Sequence, residues 1–255
     1  MKISVITPVL NSVTTIEDCI KSLHSQTYEN WEHIIVDGCS TDGTLDIIKR
    51  YLNKKTILIS EPDNGLYDAF NKGIKLASGN IIGILHADDL YAHNKVLEMV
   101  ANVFLNYDVS SCYGDLLYVS RSDPNKIIRY WKSGNYKPGM FRFGWHPPHT
   151  TLFIKKEIYE KYGYFNTDFK IAGDYEIMVR FFERYKITTF YIPSILVKMR
   201  VGGKSNKSLK NIIFQTWEDY KAWKINNLKG GLIAVFLKKL IKAPQFILRP
   251  REVKT

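Results

Sequence analysis

Two adjacent carboxylates, Asp88 and Asp89, close an apolar run that begins Asn80-Ile81-Ile82-Gly83-Ile84-Leu85 and continues through His86-Ala87. Neighbouring carboxylates repel each other unless a cation or donors compensate, and an all-oxygen site suits Mg²⁺ or Mn²⁺ better than zinc. Alone, the pair is better read as a solvated turn ahead of a helix, so its meaning depends on what else shares its surroundings. Thr7, Asp37 and Glu61 also stand where apolar runs give way to turns. Later come His146 and His149 in Trp145-His146-Pro147-Pro148-His149, then Asp174 and Glu176 in Gly173-Asp174-Tyr175-Glu176, then Arg200 and Lys204 around Gly202-Gly203. The plain alternatives are an N-cap for Asp174, surface imidazoles or a zinc pair without a nearby Cys for the histidines, and loop solvation for Arg200 and Lys204.

The elements that must position these groups follow from periodicity. Residues 2–9 predict a strand closed by Pro8, and Asn11 and Ser12 can cap a helix running to about Ser25, with Val13, Ile16, Ile20 and Leu23 at helical spacing. Strands are expected at 31–36, 56–60 and from Asn80 to the acidic pair, with helices at 44–52, 66–77 and 94–106 between and after them. This β-α-β alternation predicts a mostly parallel, doubly wound α/β sheet, which gathers functional groups at the strands' carboxyl ends. Neither G-x-G-x-x-G nor G-x-x-x-x-G-K-[ST] occurs, which disfavours dinucleotide-dependent dehydrogenases and P-loop enzymes. Beyond residue 107 the alternation stops. Antiparallel strands are expected at 109–119 and 127–132, a functional loop at 133–150, helices at 156–162 and 175–185, a strand at 188–199 and two closing helices.

At 255 residues, one large α/β domain with an appendage is the expected organisation. Cys19, Cys39 and Cys112 lack a paired spacing, which argues for a reducing compartment and against a disulfide framework or zinc module. The chain enters a strand at Ile3 without a basic leader, and no apolar run approaches the roughly 18 residues a membrane span needs, so neither signal peptide nor span is expected. The net charge of +11 sits in the tail: residues 1–197 carry 22 basic and 22 acidic side chains, residues 198–255 carry 14 and 3. From 232 to 243, Leu232, Ile233, Phe236, Leu237, Leu240 and Ile241 share a broad helical face opposite Lys238, Lys239 and Lys242, before Pro244. That pattern fits a helix lying in an anionic membrane interface, or one packed on the main domain with its lysines in water. Trp217, Tyr220 and Trp223 have the helical spacing of core residues, so nucleic acid is not an expected partner.

Four patterns occur in order: Val5-Ile6-Thr7-Pro8-Val9 with Asn11, Val36-Asp37-Gly38-Cys39-Ser40-Thr41-Asp42-Gly43-Thr44, the acidic mouth at 86–89, and Gly173-Asp174-Tyr175-Glu176. Over residues 1–205 they resemble the family 2 glycosyltransferases, enzymes of GT-A fold. With Glu61-Pro62-Asp63-Asn64-Gly65-Leu66-Tyr67-Asp68-Ala69, the chain is most similar to bacterial enzymes building O-antigen, capsule or exopolysaccharide units.

The resemblance implies a nucleotide-binding half at 1–107, an acceptor half at 108–205 and basic amphipathic helices at 206–255. It places Thr7, Pro8, Val9, Asn11 and Asp68 at the donor and makes Asp37 the acceptor of a base N–H. Asp88 and Asp89 become ligands of Mn²⁺ or Mg²⁺, and Asp174 the general base of an inverting transfer, with Glu176 pointing elsewhere. His149 is expected at the donor diphosphate or acceptor and Arg200 at the phosphates. Two positions depart from the family pattern. His86 stands where a first metal-binding Asp is usual, free to reach the metal, bind phosphate or end the strand, and Gly38 stands where many relatives have a second Asp. The expected partners are a nucleotide-sugar donor, UDP-linked, and a glycan acceptor on polyprenyl diphosphate, handled in the cytoplasm at the inner face of the membrane; the oligomeric state is open. The rival readings are a sugar-nucleotide-forming nucleotidyltransferase and a non-catalytic basic protein binding nucleic acid or membrane.

Overall fold

A computed structural model describes residues 1–202 and 209–241 of the chain. The apolar, β-branched segments of the first hundred residues form strands whose ends line up. In chain order they are β1 (Ile3–Val9), α1 (Ile16–His24), β2 (Trp31–Asp37), α2 (Thr44–Arg50), β3 (Thr56–Ser60), α3 (Leu66–Leu76) and β4 (Ile81–Ile84). β1 and β2 are buried along their whole length, as strands covered by helices on both faces must be. Parallel pairing sets Val9 beside Asp37, Asp37 beside Ser60 and Ile6 beside Ile84, which brings the loops after all four strands to one rim.

The second half continues the same sheet. β5 (Leu90–Tyr91), α4 (Val96–Asn106), β6 (Ser111–Val119), β7 (Ile127–Trp131), β8 (Phe153–Lys155), α5 (Lys156–Tyr162), α6 (Gly173–Met178), β9 (Thr189–Arg200), α7 (Leu209–Ile225) and α8 (Gly231–Leu240) follow. The strand order is β3-β2-β1-β4-β8-β6-β9-β5, with β7 on β6. β8 was not legible in the sequence, because three residues are too few to display a period of two. It runs antiparallel between β4 and β6, and Gly83 admits it: a Cβ there would lie 2.5 Å from the Phe153 ring.

Two further expectations are corrected. α1 begins at Ile16, because Asn11 adopts φ 50° and is spent on a loop clasp. Its backbone N–H donates to Ser40 Oγ at 2.9 Å and its side-chain oxygen accepts from Thr41 N–H at 2.9 Å, while Val13 N–H donates to Asp42. α8 is amphipathic, but its lysines do not share a polar face. Lys238 is buried, donates to both oxygens of Asp219 on α7 (2.8 and 2.9 Å) and lies 3.7 Å from the Tyr175 ring centroid. Leu232, Ile233, Phe236 and Leu240 remain exposed. Lys204, Lys242 and Pro244 lie outside the described residues.

The core is two-layered. One face of the sheet packs on α1 and α4, the other on α3, α5, α6 and the inner sides of α7 and α8. α7 therefore reaches the loop ahead of Asp174. Glu218, fully buried, accepts from the N–H groups of Lys170, Ile171 and Ala172 at 2.7, 2.8 and 2.8 Å. Trp223 Nε1 donates to Tyr175 Oη, and Asn226 Nδ2 donates to Glu176 Oε1.

Candidate active site

The rim over the carboxyl ends of β1 to β4 carries the groups expected at a donor. Asp37 is buried, and its carboxylate accepts from Ser40 N–H (3.3 and 3.1 Å) and from Ser60 Oγ (2.7 Å), so it organises the 38–43 turn from beneath. Gly38 leaves the room that Asp63 uses, since a Cβ at 38 would sit 2.6 Å from Asp63 Oδ2. An acid from the turn after β3 thus approaches the position where many relatives carry one on the chain itself. Asp68 accepts from Asn64 N–H at 3.0 Å and faces Lys72 at 3.6 Å, which holds that turn against α3. Pro8 and Val9 are buried in β1. Thr7 is corrected: its hydroxyl meets His33 Nε2 at 2.9 Å within the α1 layer, so its side chain does not face the rim.

Asp88 and Asp89 have opposite surroundings. Asp88 keeps a third of its side chain exposed, with Arg121 Nη1 3.9 Å from Oδ2. Asp89 is fully buried; its Oδ1 accepts from Arg200 N–H at 3.3 Å and Oδ2 has no hydrogen-bond partner among the described residues. Burial, reinforced by the charge of Asp88, pushes the Asp89 carboxyl well above the usual carboxylate range. Arg200 is corrected as a phosphate ligand. Its guanidinium is buried, donates to the Asp88 carbonyl at 3.0 Å and pairs with Asp18 of α1, which clamps the acidic mouth from below.

Across the rim, Asp174 sits in the first turn of α6 without capping it. Its Oδ2 lies 3.1 Å from His149 Nδ1, and His149 Nε2 lies 2.9 Å from His86 Nε2. Asp174 and His149 are each about a quarter exposed, at 26%. Burial and the neighbouring His149 lower the pKa of His86 to about 4, with Asp88 and Asp174 pulling the other way. Tyr67 Oη accepts from Gly173 N–H at 2.8 Å, and Gly173 has no room for a Cβ against that ring. Glu176 points away, as its spacing requires, to Arg180 and Asn226. His146 is buried among the rings of Trp131 and Tyr175.

The model of the family described as Glycosyl transferase family 2 matches residues 4–167. The chain belongs to that family. A PGL/p-HBAD biosynthesis glycosyltransferase of Mycobacterium bovis is 29% identical over 208 residues, 80% of this chain and 78% of its own. The Escherichia coli UDP-Glc:alpha-D-GlcNAc-diphosphoundecaprenol beta-1,3-glucosyltransferase WfgD is 35% identical over 114 residues, covering 44% of this chain and 45% of WfgD. Residues 1–349 of S. aureus TarS, solved with UDP-GlcNAc, superpose with a TM-score of 0.67 at 18% identity over 96% of this chain and 72% of that one. This family 2 glycosyltransferase has the GT-A fold: a mixed, mostly parallel sheet with helices at the C-terminal end.

Glu218, Tyr67, Trp223, Asn226 and Asp63 are functional supports that sequence reasoning missed. Glu218 and Asn226 left one signal, as polar residues at positions 218 and 226 on the same helical face as Ala222 and Trp223. The three metal ligands expected of the glycosyltransferase do not assemble. His86 is turned to His149, Asp89 is held inside by Arg200, and among the described residues no three His, Cys, Asp or Glu side chains group as a metal cage. Asp88 alone offers carboxylate oxygen at the surface, which fits an ion such as Mg²⁺ or Mn²⁺ that keeps waters and takes phosphate oxygens from its substrate. Outer-shell changes typically cost about 10–100-fold in metal affinity, so Asp88→Asn is expected to weaken Mn²⁺-dependent UDP binding by at least that factor. Asp89→Asn is expected to leave calorimetric UDP affinity unchanged; an equal loss in both variants would return Asp89 to the site.

Proposed function

We propose that the chain is a metal-dependent inverting glycosyltransferase that moves a sugar from a UDP-linked donor to a hydroxyl of a polyprenyl-diphosphate-linked glycan in bacterial surface polysaccharide biosynthesis. The observation that carries the reading is the hydrogen-bonded line from Asp174 through His149 to His86, which ties a partly exposed carboxylate to the strand end that carries Asp88. An inverting transfer needs a base on the face opposite the leaving group. Asp174 takes the acceptor hydroxyl's proton as that oxygen bonds to the anomeric carbon, while the bond from that carbon to the diphosphate oxygen breaks and its electron pair leaves with UDP. Asp88 would hold a divalent ion whose charge stabilises the departing diphosphate. The nucleoside belongs over Pro8, Val9, Asn11 and the Asp37, Asp63 and Asp68 loops, and the acceptor on the side of residues 108–205.

The relatives support the donor and acceptor classes. WfgD is named for UDP-glucose and a diphosphoundecaprenol-linked sugar, and TarS was solved with UDP-GlcNAc. The C-terminal hairpin supports work at the inner face of the cytoplasmic membrane. Leu232, Ile233 and Phe236 of α8 are each about two-thirds exposed, and Leu232 and Phe236 border, with Ile213, Trp217 and Lys239, a groove of about 470 Å³. That apolar face lies in the segment holding all of the excess positive charge, which together suit an anionic lipid surface. No helix among the described residues is long and apolar enough to cross a membrane.

Asp174→Asn is expected to fold, to bind UDP as the parent does and to lose about 10²–10⁴-fold in turnover. UDP release near the parental rate would remove Asp174 as base. In flotation assays the chain is expected to rise with phosphatidylglycerol vesicles and not with phosphatidylcholine vesicles, and Phe236→Glu to abolish the difference. Equal recovery with both vesicles would refute the membrane surface.

A further inference from the structure

The line Asp174, His149, His86 fixes more than a location. His149 Nδ1 lies 3.1 Å from a carboxylate oxygen, which accepts, so that nitrogen carries a proton. His86 Nε2 lies 2.9 Å from His149 Nε2, so one of these two nitrogens donates to the other. The two rings meet edge to face at 89°, and Phe70 lies edge-on against His86 at 5.6 Å, which leaves the His86 ring little freedom to turn. His149 opens the single turn His149–Thr151 after Pro147-Pro148, where Pro148 is extended at φ −65° and ψ 123°, so its backbone is braced as well.

We infer that His149 is a positioning residue for the base: its Nδ1–H holds Asp174 Oδ2 and leaves Oδ1 to the acceptor hydroxyl, while His86 holds the His149 ring in place through Nε2. This rests on the reading of Asp174 as base. It gives the unusual residue at 86 a task on the base side of the site, and of the two places the sequence left open for His149, donor diphosphate or acceptor, it favours the acceptor chemistry. The arrangement follows the logic by which a second group orients a catalytic one through a hydrogen bond to its far side.

The test exploits the two nitrogens. Asn at 149 places an N–H close to Nδ1 and can still reach Asp174, whereas Gln reaches toward His86. With UDP-glucose and UDP-N-acetylglucosamine as donors and an N-acetylglucosaminyl-diphospholipid as acceptor, His149→Ala is expected to lower kcat by about 10²-fold, the scale of a misplaced catalytic group. Donor KM and calorimetric UDP affinity are expected to stay within about twofold, the signature of an interaction made only in the transition state. His149→Asn is expected to recover activity that His149→Gln does not. ¹⁵N spectra of the full chain are expected to show His149 protonated at Nδ1, with that proton shifting in Asp174→Asn. A large rise in UDP dissociation constant at unchanged kcat, a Gln variant better than Asn, or an Nε2–H tautomer at His149 would overturn the inference. If Asp174→Asn is inactive and His149→Ala is fully active, the positioning role alone fails; if Asp174→Asn is active, the base reading fails and the inference falls with it.

Discussion

Three successive backbone N–H groups, those of Lys170, Ile171 and Ala172, end on one buried carboxylate, Glu218 of α7. Without it the buried N–H of Ala172 would be an unpaired donor, at a cost of about 1–3 kcal/mol, and its two neighbours would lose their partner, so the docking of α7 holds the loop's path. The next two residues are Gly173, pressed on Tyr67, and Asp174. The Asp174 side of the site therefore depends on a helix that follows the sheet in sequence and lies beyond residues 4–167, the span of the family match. The inward-facing Lys238 explains why α8 belongs to the same unit: its pair with Asp219 and its seat over Tyr175 fasten α8 to α7 and to the first turn of α6.

Environment, more than residue type, divides the labour among the acids of the mouth. Asp88 and Asp89 differ by one position, yet one reaches solvent and the other lies under Arg200 with its carboxyl pushed towards the neutral form. Two charged carboxylates side by side would repel; placing one inside and clamping the turn with Arg200 and Asp18 lets a single charge face outward. Asp174 is joined to the end of the strand that leads into this mouth through two imidazoles, His149 and His86.

Much of this was legible in the sequence. The strand and helix alternation through residue 106, the antiparallel pair at 109–132 and the place of Asp174 beside a helix start all follow from local patterns. What the sequence concealed depends on long-range contacts. Thr7 and Arg200 have the right types and places for ligand binding, but His33 and Asp18, far away in the chain, claim their polar groups. His86 reads as a departure from a metal motif until His149, 63 residues later, meets it. β8 and the inward lysine of α8 are hidden for the same reason, since neither a three-residue strand nor a single buried charge leaves a periodic trace.

The central claim is that one pocket holds a nucleotide at Asp88 and a base at Asp174 on either side of a sugar. The most direct measurement is a crystal structure of the full chain with UDP-N-acetylglucosamine and Mn²⁺. The account predicts the ion between Asp88 and the diphosphate, the uracil over the 38–43 and 61–65 turns, and the anomeric carbon facing Asp174 Oδ1 across an opening wide enough for a hydroxyl. A nucleotide bound away from this rim, or a sugar turned so that Asp174 lies on the diphosphate side, would contradict it.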